Sequence, residues 1–145
     1  MEIFSIGFTQ KTAQQFFGSL KQAGVRRLVD VRLNNVSQLA GFAKKQDLPF
    51  FLRELCDAAY VHEPLLAPTQ EMLDRYKKHS GNWAEYEKGF LALMAEREID
   101  RALSRSHFKL PSALLCSESS PNQCHRRLVL EYLREKWGGI EITHL

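Results

Sequence analysis

At 145 residues the chain has the size of one domain and is long enough to bury a substantial core. Hydrophobic residues make up 44% and charged residues 26%, which excludes a disordered or fibrous chain. A net charge of +3 permits an anionic ligand but lacks the dense basic stripe of a general nucleic-acid binder.

Three cysteines, Cys56, Cys116 and Cys124, are too few for a disulfide scaffold and fit a reducing compartment. Glu2 interrupts the N-terminal apolar residues, so no signal peptide is expected there. No stretch approaches the ~18 apolar residues of a membrane span. The expectation is a cytoplasmic protein with no membrane partner.

Glu2 to Ile6 reads as a short strand. Thr12 and Gln15 match a capping box, and Ala13, Phe16, Phe17 and Leu20 then fall on one helical face. Gly24 stands where a left-handed residue ends a helix. Val25 to Val31 is nearly continuous in apolar residues, as in a parallel strand buried on both faces. Residues 33–47, with Asn34, Asn35, Ser37, Lys44 and Lys45, read as a long polar loop.

Pro49 suits the first turn of a helix whose inner face is Phe51, Leu52 and Leu55, with Cys56 beside them as core. Ala59 to His62 is a third strand, stopped by Pro64. Glu71 to Lys78 forms a short helix ended by Ser80-Gly81. Asn82 and Glu85 open another helix, on which Trp83, Tyr86, Phe90 and Met94 form a core stripe. The helical pattern weakens through Ile99 and Leu103, with a break. His79 and His107 carry no signal.

Ser112 to Cys116 is the fourth strand. Ser120 and Pro121 suit the cap and first residue of a last helix, with Leu128 or Val129, Tyr132, Leu133 and Trp137 inward. Gly138-Gly139 ends it, and Ile140 to Leu145 is a final strand. This alternation predicts a single α/β domain over 1–145: a mainly parallel sheet of about five strands with helices on both faces.

Ligands of open parallel sheets bind outside the carboxyl ends of the strands. Those ends here are Ser5-Ile6-Gly7-Phe8-Thr9, Asp30-Val31-Arg32, His62-Glu63, Cys116-Ser117-Glu118 and His144. Each delivers polar or ionisable groups to the same edge. If the last helix begins near Pro121, Gln123, Cys124 and His125 lie in its first turn. A thiol at a helix N-terminus, with Arg126 and Arg127 following, should have a lowered pKa. Glu118 can exchange protons, or position Arg32 or Arg126. Asp30 and Arg32 share one side of their strand and can pair with each other.

The segments Ser5-Ile6-Gly7-Phe8-Thr9, Asp30-Val31-Arg32 with Ser37 and Phe42, Cys116-Ser117-Glu118 with Cys124-His125-Arg126-Arg127, and Glu141-Ile142-Thr143-His144-Leu145 together carry a resemblance. In this order they resemble the domain of unknown function 488 family across essentially the whole chain. The resemblance implies a compact cytoplasmic α/β protein and supplies no reaction. Phe8 stands where the family often has histidine, and Leu33-Asn34-Asn35 lacks the proline common after Asp-Val-Arg.

The candidate catalytic residues are therefore Cys116, Glu118, Cys124 and His125, and the candidate ligand-binding residues Ser5, Gly7, Thr9, Asp30, Arg32 and Arg126. Cys124-His125-Arg126 can equally be a nucleophile site, a metal corner, an anion cradle or a packed helix start. Cys116, Cys124 and His125 supply three metal ligands, with His62 or His144 as a distant fourth. The short Cys-x-x-Cys pair is missing, so no metal is expected. No cofactor is expected either, because the chain has no Walker loop and no Rossmann glycine triplet. Position 122 is Asn, where a Cys-x5-Arg phosphatase loop starting at Cys116 would need Arg. The expected function is an enzyme acting on a small anionic ligand, phosphate-bearing or nucleotide-like. The alternative is a non-catalytic nucleic-acid- or protein-binding module using the same edge, with Lys44 and Lys45 contributing.

Overall fold

The computed structural model describes residues 1–35, 41–78, 81–118 and 120–145, without the side chains of 77 and 78. Ser37, His79, Ser80 and Ser119 lie outside the described residues. Five strands, β1 (Glu2–Gly7), β2 (Arg27–Asp30), β3 (Ala59–His62), β4 (Ser112–Cys116) and β5 (Glu141–His144), form one sheet in the order β3-β2-β4-β1-β5. Every neighbouring pair is parallel.

The helices are α1 (Ala13–Gln22), α2 (Leu48–Cys56), α3 (Gln70–Lys78), α4 (Trp83–Glu96), α5 (Ile99–Ala102) and α6 (His125–Trp137). Their packing follows from the period-2 alternation of strand side chains, which gives β1, β2 and β4 apolar residues on both faces. Phe4, Ile6, Leu28, Ala113 and Leu115 pack with Phe16, Phe17 and Leu20 of α1 and Leu48 and Leu52 of α2. Ile3, Val29, Val31, Leu114 and Cys116 pack on the other face with Phe90 and Met94 of α4 and Leu128, Val129 and Leu133 of α6.

This layering positions the site. The connections after β1 and β2 cover one face, and those after β3 and β4 the other. Strand β4 lies between β2 and β1, so its own connection leaves in the opposite direction from both neighbours. A crevice opens at the carboxyl ends of such strands.

Local signals work as the sequence predicts at several ends. The Thr12 Oγ1 accepts from the Gln15 backbone N–H at 3.1 Å, and the Gln15 side chain accepts from Thr12 N–H at 2.9 Å. Gly24 ends α1 at φ +73°. Asn82 caps α4 through Glu85 N–H. Glu98, at φ +50°, makes the break before α5.

Two expectations differ from the structure. Leu55 is 47% exposed, in a shallow groove against α1, because Leu48 and Leu52, one turn apart, already fill the inner stripe of α2. The last helix starts at His125, not at Pro121. Ser120 Oγ accepts from Asn122 N–H and closes a turn instead of capping the helix. Arg127 holds that turn by donating to the carbonyls of Pro121 and Asn122. Among the described residues, no helix is long and apolar enough to cross a membrane.

Candidate functional site

A cavity of about 420 Å³ opens at the carboxyl end of β4, within the range of small-molecule sites. Its floor is Cys116, Cys124 and His125, its rim includes Arg32 and Glu118, and one wall is Tyr76, Trp83 and Tyr86. Parity explains the floor: Cys116 follows Leu114 on the face that α6 covers, so its sulfur meets the start of that helix.

His125 has one defined tautomer. Its Nε2 lies 2.7 Å from the Val31 carbonyl, which can only accept, so Nε2 carries a hydrogen. Nδ1 then faces Cys116 Sγ at 3.5 Å. The Phe90 ring packs against the imidazole with centroids 5.3 Å apart. A thiol whose proton partner is oriented by a third group matches the arrangement by which protein nucleophiles are activated.

The two thiols differ. Cys116 is pulled below its ordinary pKa, first by the thiol of Cys124, which donates to it. Burial opposes this, while the positive charge of Arg126 and the backbone N–H groups of Ser117 and Glu118 add to it. Cys124 is pushed well up by the hydrogen bond it donates to Cys116, then by burial and by the negative charge it faces there. The sequence expectation of a lowered pKa at Cys124 therefore fails, and the shift falls on Cys116. The physical reason is the later helix start. Cys124 is the N-cap and makes no side-chain capping bond, while hydrogen-bonding to Cys116.

Asp30 and Arg32 sit on the opposite parity from Cys116. Arg32 donates to both Asp30 oxygens, from Nε at 2.9 Å and Nη2 at 2.8 Å, and its Nη2 also reaches the Ala43 carbonyl. Tyr60 donates to Asp30 at 2.6 Å, which with burial raises its own pKa. The guanidinium lies over the Phe8 ring, 5.2 Å from its centroid. Arg32 is buried, yet its Nη1 has no partner among the described residues.

The remaining candidates stand behind the cavity. Arg126 is fully buried and donates from Nε to Ser5 Oγ at 3.1 Å and from Nη1 to the Glu118 carbonyl at 2.6 Å. Its contact with Glu118 is thus to the backbone, and it forms no ion pair among the described residues. The Glu118 carboxylate is exposed at the rim and also forms no ion pair among them. The Ser5 hydroxyl faces His144 Nδ1. Thr9 donates its hydroxyl to Ser117 O at 2.6 Å. Gly7 lets the loop pass: a Cβ there would stand 1.6 Å from the Glu118 carbonyl oxygen. His62 donates from Nε2 to the Arg32 carbonyl at 2.8 Å. Of the ten residues singled out as catalytic or binding, the structure brings Arg32, Cys116, Glu118, Cys124 and His125 to the cavity. Ser5, Gly7, Thr9 and Arg126 anchor the loop after β4, and Asp30 anchors Arg32.

The aromatic wall was read from sequence as core. Tyr86, Phe90 and Met94 are core and Trp83 packs against them, but Trp83 and Tyr86 also line the cavity, stacked with centroids 5.2 Å apart, and Tyr76 meets Trp83 edge-on. The available signal was position. The first turn of α4 lines the cavity, and Phe90 further along packs behind it against His125.

The family described as Domain of unknown function DUF488 matches residues 12–133, and the chain belongs to it. No curated protein and no solved structure matches the chain.

Proposed function

We propose that this member of the DUF488 family is an enzyme acting on a small anionic ligand, phosphate-bearing or nucleotide-like, in the cavity at the end of β4. The observation that carries the reading is the floor. Cys116, its proton partner His125 and a second thiol are buried together where a cavity of ligand size gives access to them. A structural hydrogen bond between Cys116 and His125 has no need of that access, whereas a reactive centre does.

The other walls support the ligand class. Tyr76 and Trp83, backed by the buried Tyr86, offer an aromatic surface against which a flat ring packs. Arg32 lines the cavity and supplies a guanidinium suited to an oxygen of an anion. Glu118 stands at the rim as a proton acceptor or donor.

Two measurements test this. Titration of nucleoside monophosphates and inorganic phosphate, followed by isothermal titration calorimetry, should show saturable 1:1 binding that Trp83→Ala weakens about tenfold or more, as loss of a stacking partner implies. Incubation with a panel of phosphorylated metabolites, followed by mass spectrometry, should show conversion that Cys116→Ser abolishes. Absence of binding overturns the ligand class. Binding without conversion identifies a binding module instead of an enzyme.

A further inference from the structure

We propose that Cys116, Cys124 and His125 hold one divalent transition-metal ion of the zinc class, with the fourth coordination position opening into the cavity. This rests on the reading of the cavity as an active site and deepens it by naming the cofactor, with Cys116 and His125 Nδ1 serving as its ligands in place of a free thiol–imidazole pair.

The donor atoms are already assembled. The two sulfurs and one imidazole nitrogen lie within 4.8 Å of one another, and all three residues are buried. Zinc–sulfur and zinc–nitrogen bonds of about 2.3 and 2.0–2.1 Å, at a tetrahedral angle, place N and S about 3.5–3.6 Å apart. Cys116 Sγ and His125 Nδ1 are 3.5 Å apart. The same geometry puts two ligating sulfurs about 3.8 Å apart. From anywhere within the 4.8 Å bound, the thiols reach that by closing about 1 Å or less.

The surroundings match a metal site in three further respects. A ligating histidine ordinarily donates its other N–H to a carboxylate or carbonyl, which fixes the ring. His125 Nε2 does this to Val31 O at 2.7 Å, leaving Nδ1 for the ion. Two thiolates and an imidazole are a soft donor set that selects zinc-like ions over magnesium or calcium. A divalent ion with two thiolates is also neutral overall, which suits a buried position. Among the described residues no other His, Cys, Asp or Glu joins the group, and all three ligands line the cavity. The fourth position is thus served from the cavity, by water or by a donor atom of the ligand. Three protein ligands with one open position distinguish catalytic zinc sites from closed structural ones, and Cys2His is one of the sets used.

Binding balances simply. Each cysteine enters as thiolate and releases to solvent any proton it still carries, while His125 gives the lone pair of Nδ1 and keeps its Nε2 hydrogen.

Cobalt(II) is the probe. Added to purified protein, it should bind at one equivalent per chain and give a thiolate-to-cobalt charge-transfer band with the intense visible bands of a tetrahedral site. Zinc should displace it. Cys124→Ser is the decisive variant, because its removal leaves the Cys116–His125 hydrogen bond in place. It should fold, as judged by circular dichroism, and weaken metal binding at least about 100-fold, beyond the usual effect of a second-shell change. Cys56→Ser, on α2, should bind as wild type does. No charge-transfer band in folded wild type overturns the site, as does a spectrum that survives in folded Cys124→Ser or is lost in folded Cys56→Ser. The response of Trp83 fluorescence to nucleoside monophosphates separates this from the parent reading. A ligand response without metal binding removes the metal and keeps the pocket, and metal binding without a ligand response does the reverse.

Discussion

Asp30→Asn should be among the most damaging single substitutions in this protein, although it removes no volume. The carboxylate accepts from the backbone N–H, Nε and Nη2 of Arg32 and from the hydroxyl of Tyr60. Both members of the ion pair are almost fully buried, at 0% and 3% side-chain exposure. An amide at position 30 has one oxygen and one NH2 group. In either orientation the NH2 group faces donors of Arg32, and Tyr60 is already accepting from Asn35 Nδ2 at 3.1 Å. A buried guanidinium is left without its countercharge. Breaking one partner of such a pair costs about 3–5 kcal/mol. At about 2–4 °C per kcal/mol for a domain of this size, Tm should fall by about 6–20 °C. Urea titration should show the midpoint falling with an unchanged m value. The double variant Asp30→Leu/Arg32→Met replaces the pair by apolar groups of similar volume and should recover most of the loss. A loss below about 1 kcal/mol in Asp30→Asn, or a double variant no more stable than the single one, would refute the reasoning.

Other outcomes follow from the same geometry. Gly7→Ala should cost at least about 1–3 kcal/mol, because the new methyl meets the Glu118 carbonyl and not a yielding side chain. Gly18→Ala, in α1 with nothing near a new Cβ, should instead stabilise by up to about 1 kcal/mol, and urea titration of the pair checks the contrast. Tyr60 has its pKa raised by burial and by Asp30. The unfolded chain therefore loses this proton first, and stability should fall as pH rises above about 10, the ordinary tyrosine value. Tyr60→Phe should show a shallower alkaline fall in Tm, and an unchanged slope would discount the contribution.

The fold was largely legible because its signals are local and mutually consistent. Continuous apolar runs marked β2 and β4, and the Thr12–Gln15 pair marked the start of α1. The edge that carries the site was legible too, since a parallel sheet sends all its strand ends the same way. Which side of that edge each residue faces was less so. Asp30 and Cys116 lie on opposite faces of neighbouring strands, and that depends on register and on which helices cover which face. Pro121 misled because a Ser-Pro pair that opens a helix and one that closes a turn look alike, and only the bonds from Arg127 separate them. The aromatic wall was hidden because Trp83, Tyr86, Phe90 and Met94 share one stripe, although only its first turn reaches the cavity.

The electrostatics of the cavity bear on how it selects a ligand. Asp30 neutralises Arg32 at contact distance, and Arg126, which has no carboxylate partner among the described residues, sits behind the floor and does not line the cavity. Glu118 at the rim is negative. An anion reaching Arg32 therefore meets a guanidinium already paired with Asp30 and does not enter a strongly positive field. Most of its affinity must come from packing against Tyr76 and Trp83. Affinity for a mononucleotide should then change only a few-fold as ionic strength rises, since short-range contacts are poorly screened. A nucleic-acid interface behaves otherwise: each phosphate neutralised adds about one unit to the slope of log K against log salt. A steep salt dependence would shift the site of recognition from this cavity to the exposed basic residues around it.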